Sequence, residues 1–242
     1  MRRRVVLKAG LVLMSTATAA AIMRPVGAAA RVLRGGAGKW IARETPPPVP
    51  VDPSKRIFFT PQEENLVKAI FDQLIPADDL SVSASDAGCV VFIDHQLAGS
   101  YGKASSRFKG GPFQEGTPEQ GDQSKLTPAD IYKIGLAEMN DHCRKMSGKA
   151  FEELPAPQQV EYLEAMEAGK FTYKTIKSSE LFTQFLTNVQ EGFLSDPVYG
   201  GNRNMVGWRM IGFPGARYDY RDVAELKGQR LEIEPVSISD RI

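Results

Sequence analysis

The sequence predicts an all-α protein: a single helical domain of about five main helices with two long irregular loops, preceded by a signal peptide and a Gly/Pro-rich arm. Three observations predict it. Apolar residues recur at helical spacing in several separate stretches, the clearest of these begin at a Thr-Pro pair that can start a helix, and no convincing run alternates apolar with polar residues. With 242 residues and 42% apolar content, the chain can bury one sizeable core and is short for several large domains.

Residues 1–30 carry five basic side chains (Arg2, Arg3, Arg4, Lys8 and Arg24) and no acidic one. A modestly apolar run of 15 residues, 9–23, follows the basic start, and Ala28-Ala29-Ala30 fits an A-x-A cleavage site. This reads as an export signal. Its "RRVVLK" core resembles the twin-arginine pattern through Arg3, Arg4, Val6, Leu7 and Lys8, with Arg2 standing where Ser or Thr is usual and Val6 where Phe is common. An ordinary secretory signal and an uncleaved anchor are the alternatives, the anchor needing roughly 20 apolar residues. Without residues 1–30 the chain has 25 basic and 29 acidic side chains, a net charge of −4. A mildly acidic mature domain offers no electrostatic footprint for nucleic acid or anionic lipid.

Residues 31–57 are rich first in Gly and then in Pro and lack an amphipathic period, which predicts an extended arm. The helical domain, 58–222, then starts sharply. Thr60 is a good N-cap, Pro61 suits the first helical position and Glu63 completes a capping box. Leu66, Val67, Ile70, Phe71, Leu74 and Ile75 repeat at helical spacing until Pro76 stops them. A second helix is expected over about 84–97, with Cys89, Val90, Ile93 and Leu97 on one face and Gly99 beyond its end. Residues 99–125 then show no period over 27 positions, a length usual only for functional or disordered loops. Order returns at "LTPADIYKIGLAEMNDHCRKM", where Thr127 caps, Pro128 starts, and Ile131, Gly135, Met139, Cys143 and Met146 share one side. Two more helices are signalled at "APQQVEYLEAM" and "SSELFTQFLTNVQEGFL". Residues 223–242 read as a C-terminal tail.

The supply of groups for chemistry is small. Cys89, His95, His142 and Cys143 lack the short ligand spacing of a zinc site, and no C-x-x-C-H is present to attach haem. In an oxidising compartment Cys89 and Cys143 could pair as a disulfide; two buried free thiols are the alternative. The glycines of "GGAG" lie in the arm rather than between a strand and a helix, so no dinucleotide fingerprint is present. Asp78-Asp79 directly follows a helix-ending proline and reads as a solvated turn, while Asp94-His95 and Asp141-His142 read as surface or satisfied polar pairs. No catalytic residue, metal ligand or cofactor ligand is expected on this chain.

The least regular segment is "DPVYGGNRNMVGWRMIGFPGARYDYRD", residues 196–222, with five glycines, two prolines, five aromatic rings and four arginines. A flexible linker would be short of aromatics and a plain core element short of glycines. A ligand loop, a loop that docks on a partner, or an irregular segment packed on its own domain would each suit it.

Several blocks carry a family resemblance. "FFTPQEENLVKAIFDQLIPADD", "FIDHQLAGSYG", "GPFQEGTPEQGDQSKLTPADIY" and "EGFLSDPVYGGNRNMVGWRMIGFPGARYDYRD" resemble the gamma, or third, subunit of bacterial membrane-bound gluconate 2-dehydrogenase over about 58–222. The resemblance implies a non-catalytic small subunit in a three-chain complex. Its partners would be an FAD-containing catalytic subunit of the glucose-methanol-choline (GMC) oxidoreductase type and a multihaem cytochrome c, at the periplasmic face of the inner membrane after twin-arginine export. Related small subunits accompany glucose and polyol dehydrogenases too, which leaves the substrate of such a complex open. Under this resemblance Tyr199, Arg203, Trp208, Arg217, Tyr218 and Tyr220 are interface candidates by residue type, with Trp208 and the tyrosines alternatively covering the chain's own helices. The loop 99–125 is a second interface candidate. A free-standing periplasmic carbohydrate-binding protein would use similar aromatic and polar residues.

Overall fold

The computed structural model describes residues 49–107, 110–114, 116–121, 123–217, 219–226 and 231–240. The expected signal with Arg3 and Arg4, most of the arm, and Tyr218 lie outside the described residues. Six α-helices are present among the described residues: α1 Pro61–Leu74, α2 Cys89–Ala98, α3 Pro128–Ser147, α4 Ala156–Glu167, α5 Ser178–Leu194 and the short α6 Val206–Ile211. Five are those the periodicity predicts; the six-residue α6 lies in the irregular segment and has too few turns to show a period.

The helix starts follow from their capping chemistry. Thr60 Oγ1 accepts from Glu63 N at 3.3 Å while Glu63 Oε2 accepts from Thr60 N at 2.8 Å. Thr127 and Asp130 repeat the arrangement at the start of α3, where the aspartate closes the box. Each box satisfies two backbone groups that a helix end leaves orphaned. Helix α2 departs from expectation. It begins at Cys89, several residues late, because Gly88 turns the chain at φ +87°, and a Cβ there would meet the Gly200 carbonyl oxygen at 2.3 Å. It is also buried on nearly all sides, with Val91, Phe92 and Asp94 inside as well as the predicted face. Residues 198–202 cover the side that a surface helix would leave to water.

Helix α5 is the central element and packs against each of the other five helices. Its Leu181, Phe182, Phe185, Val189 and Phe193 fill the core with Ile70 and Phe71 of α1, Ile93 and Leu97 of α2, Tyr132, Leu136 and Met139 of α3, and Leu163 and Met166 of α4. On α3 the buried row is Tyr132, Gly135, Leu136, Met139 and Cys143, whereas Met146, expected on the same side, is 62% exposed in the last turn.

Asp94 is fully buried on α2. Its carboxylate accepts backbone hydrogen bonds from Ile57 (2.7 Å), Phe58 (3.1 Å) and Phe59 (2.8 Å). The chain just ahead of α1 is thereby tied to the middle of the molecule. His95, its neighbour, lies with Nε2 3.2 Å from the Lys55 carbonyl, and His142 bonds the Tyr162 hydroxyl at 2.9 Å under the Phe171 ring. The aspartate of the first pair and the histidine of the second are thus satisfied polar groups within the chain.

The possible Cys89–Cys143 bridge is not formed: both are buried free thiols. Cys89 opens α2 against Gly192 of α5, whereas Cys143 lies late in α3 with Sγ 3.8 Å from Ser147 Oγ and beside the Tyr162–Tyr173 pair. The two thiols face different walls of the core. Burial pushes the Cys89 thiol up to about 12 and the Cys143 thiol above its usual value, so neither is a ready thiolate nucleophile. Mature protein unfolded without reductant in the presence of an alkylating reagent should gain two adducts by mass; zero adducts would mean that the bridge forms.

Candidate partner-docking site

The segment after α5 is built on a set of backbone anchors. Asp196 Oδ1 accepts from Val198 N at 3.0 Å and holds a turn at Pro197–Tyr199. Asn202 is fully buried: its Nδ2 donates to Ser195 O at 2.9 Å and its Oδ1 accepts from Gly207 N at 2.8 Å. Arg203 N donates to Ala87 O at 2.8 Å, tying the segment to the turn before α2. These bonds hold Asn202, Asn204 and Met205 at φ values of +44°, +57° and +56°. Left-handed backbone at non-glycine residues costs roughly 1–3 kcal/mol each and persists only where the surroundings overdetermine it. Here Asn202 supplies that constraint from below.

Trp208, on α6, is the main apolar anchor. It is 5% exposed, its Nε1 donates to Leu194 O at 2.7 Å, and Phe213 meets its ring edge-to-face at 5.3 Å between centroids. Beside it, Gly207 lies so close to α5 that a Cβ would meet the Phe193 carbonyl oxygen at 2.1 Å. The tail adds a strap. Ala216 N donates to Val236 O at 2.7 Å, Ser237 Oγ donates to Asp196 Oδ1 at 2.6 Å, and Ile238 N donates to Asp196 Oδ2 at 2.9 Å. One carboxylate therefore holds both the start of the segment and the returning tail.

The sequence-based candidates divide. Trp208 is buried, so of the two readings open for it the structure favours the one in which it covers the chain's own helices: its indole fills the space over the end of α5. Arg217 is half-buried and tied to Asp222 and to the Asp219 carbonyl of its own chain. Tyr199 and Arg203 are exposed, as is Tyr220, which lies under the Arg217 guanidinium. Sequence reasoning missed Met210 and Ile211, which α6 turns outward, and Leu80 and Val82, which follow the Asp78-Asp79 turn. Asp78 Oδ1 accepts from Leu80 N and Ser81 N, so the turn reading of that pair is correct. Residues 77–82 form one wall of a shallow groove whose other wall is Val206, Arg209 and Met210 of α6.

A larger cavity of ≈ 1030 Å³ lies between the 99–125 loop and the outer side of α5. At its edge Gln184 and Asn188 both donate to the Tyr101 hydroxyl, at 2.7 and 2.8 Å, and Asn188 also accepts from Tyr132 and donates to Glu191. These three polar groups are spent largely on one another. No group of three or more His, Cys, Asp and Glu side chains among the described residues is placed to hold a metal.

A family model described as gluconate 2-dehydrogenase subunit 3 matches residues 61–215, from the first residue of α1 to the glycine that bridges to Val236. The chain belongs to the gluconate 2-dehydrogenase subunit 3 family. Comparison with curated proteins and with solved structures returns no match. A gluconate 2-dehydrogenase subunit 3 is by description one chain of several, so partner subunits are implied. The matched region takes in all six helices and the anchored segment up to Gly215, while the strap lies beyond it.

Proposed function

We propose that this gluconate 2-dehydrogenase subunit 3 is the non-catalytic small subunit of a periplasmic, membrane-bound gluconate 2-dehydrogenase-type complex. It binds the FAD-containing GMC-type catalytic subunit, steadies it, and carries it across the membrane already folded. The observation that supports this reading is the family match across the whole helical body. Two further features agree with it. Asp94 and His142 are committed to bonds within the chain, and the thiols of Cys89 and Cys143 are buried. No helix among the described residues is long and apolar enough to cross a membrane, and the proposal assigns membrane association to the complex, with a multihaem cytochrome c as the electron-accepting chain.

The physical logic of a carrier is simple. A flavin inserted in the cytoplasm requires a folded catalytic subunit, and a partner that binds only the native state stabilises that state by mass action. The small chain would then supply the export address through Arg3 and Arg4. The joint substitution Arg3→Lys and Arg4→Lys keeps the basic charge and removes the arginine pair. Flavoprotein and dye-reducing activity should then accumulate in the cytoplasm while the small chain stays folded and still co-purifies with a yellow partner. Undiminished delivery of the flavoprotein to the periplasm would refute the carrier role. Sugar binding by the isolated chain with no co-purifying flavoprotein would instead favour a free-standing carbohydrate-binding protein.

A further inference from the structure

We infer, resting on the small-subunit reading above, that the catalytic partner docks on the apolar surface formed by Leu80 and Val82 on one side and Met210 and Ile211 on the other. These four side chains are 76%, 40%, 46% and 56% exposed; Leu80, Val82 and Met210 line the groove between residues 77–82 and α6, and Ile211 is the next residue of α6. Phe213, just beyond α6, is also exposed and meets the buried Trp208 edge-to-face. Large apolar side chains gathered at one place and left to water mark interaction sites in soluble domains.

The way the surface is held separates it from incidental exposure. Asn202 is buried and bonds both Ser195 O and Gly207 N, Trp208 is fastened to Leu194 O, and the strained run at Asn202, Asn204 and Met205 leads directly into α6. Backbone strain concentrated before a short helix that turns Met210 and Ile211 outward makes a surface rigid before it binds, which lowers the ordering cost of association. Among interface residues methionine and aromatics are enriched, and charged groups are depleted from the centre and kept at the rim.

Charge at the rim identifies the occupant. Asp78 and Asp79 stand on the wall of residues 77–82, and Arg209 stands on the α6 wall, held by Glu234 of the strap at 3.1 Å. Among the described residues the groove is lined by two carboxylates and one guanidinium that Glu234 already pairs, a balance that disfavours an anionic lipid surface and fits a protein segment with an apolar centre and a basic side chain facing Asp79.

The test uses the full-length chain co-expressed with its catalytic partner. Met210→Glu combined with Ile211→Glu places two charges on exposed positions; thermal unfolding should match wild type, while the amount of flavoprotein captured falls about tenfold or more. Asp79→Lys, which leaves the Asp78 turn bonds in place, should slow association severalfold at low salt. Val160→Glu, at an apolar position on α4 that is 40% exposed, should change nothing. A folded double variant that captures flavoprotein at the wild-type level overturns the assignment of the surface alone, since wild-type capture shows the subunit reading to stand. No capture by wild type overturns both. Capture unchanged while the double variant loses sedimentation with anionic vesicles, or loses self-association, reassigns the surface to a membrane or to a second copy and also overturns the proposal.

Discussion

Asp94→Ala is expected to cost about 3–5 kcal/mol of stability, because it removes the acceptor of three backbone hydrogen bonds from a fully buried site. Each N–H left without a partner away from water bears a desolvation penalty of roughly 1–3 kcal/mol, partly relieved if water enters with the vacated volume. The loss should appear as a lower denaturant midpoint with little change in slope, and as a fall of roughly 10 °C in Tm for a domain of this size. Asp94→Asn keeps one carbonyl oxygen and turns the other acceptor into a donor facing backbone donors; its cost should be intermediate. A change of less than about 1 kcal/mol for the alanine variant would mean that residues 57–59 are held by something other than this carboxylate.

How much of this arrangement was legible in the sequence depends on whether the cause was local. Thr60, Pro61 and Glu63 lie within four positions, and the capping box they form needs no other part of the chain; the same holds for Thr127 and Pro128. The apolar rows of α1 and α5 were legible for a similar reason, since the core face of an amphipathic helix repeats with its own turn. Helix α2 hides its second buried face because what covers it, residues 198–202, arrives from about a hundred positions later. Asp94 is likewise unreadable as a backbone acceptor until residues 57–59 lie against it. The sequence also left Trp208 undecided, since a surface anchor and a core plug have the same composition, and only the position of Leu194 O separates them. Met210 and Ile211 carry no period in six residues of helix, and Leu80 and Val82 become part of a surface only when α6 comes to rest opposite the Asp78-Asp79 turn.

Trp208→Ala tests that buried placement and should cost about 3–5 kcal/mol, the range for removing a large buried aromatic. Two losses add. The indole body leaves a void beside Phe213, and Leu194 O, which accepts from Trp208 Nε1 at 2.7 Å, loses its partner at the end of α5, where carbonyls lack intrahelical donors. Trp208→Phe keeps much of the apolar body and loses the donor, which predicts a smaller cost of about 1–2 kcal/mol. Capture of the flavoprotein should fall for Trp208→Ala too, but by an indirect route: Met210 and Ile211 lose the support that fixes their direction. Lowering the temperature until the variant is fully folded should therefore restore part of the capture, whereas Met210→Glu with Ile211→Glu stays defective in a fully folded chain. If Trp208→Ala leaves the unfolding midpoint unchanged and abolishes capture as completely as the surface variant, the indole belongs to the interface and not to the core.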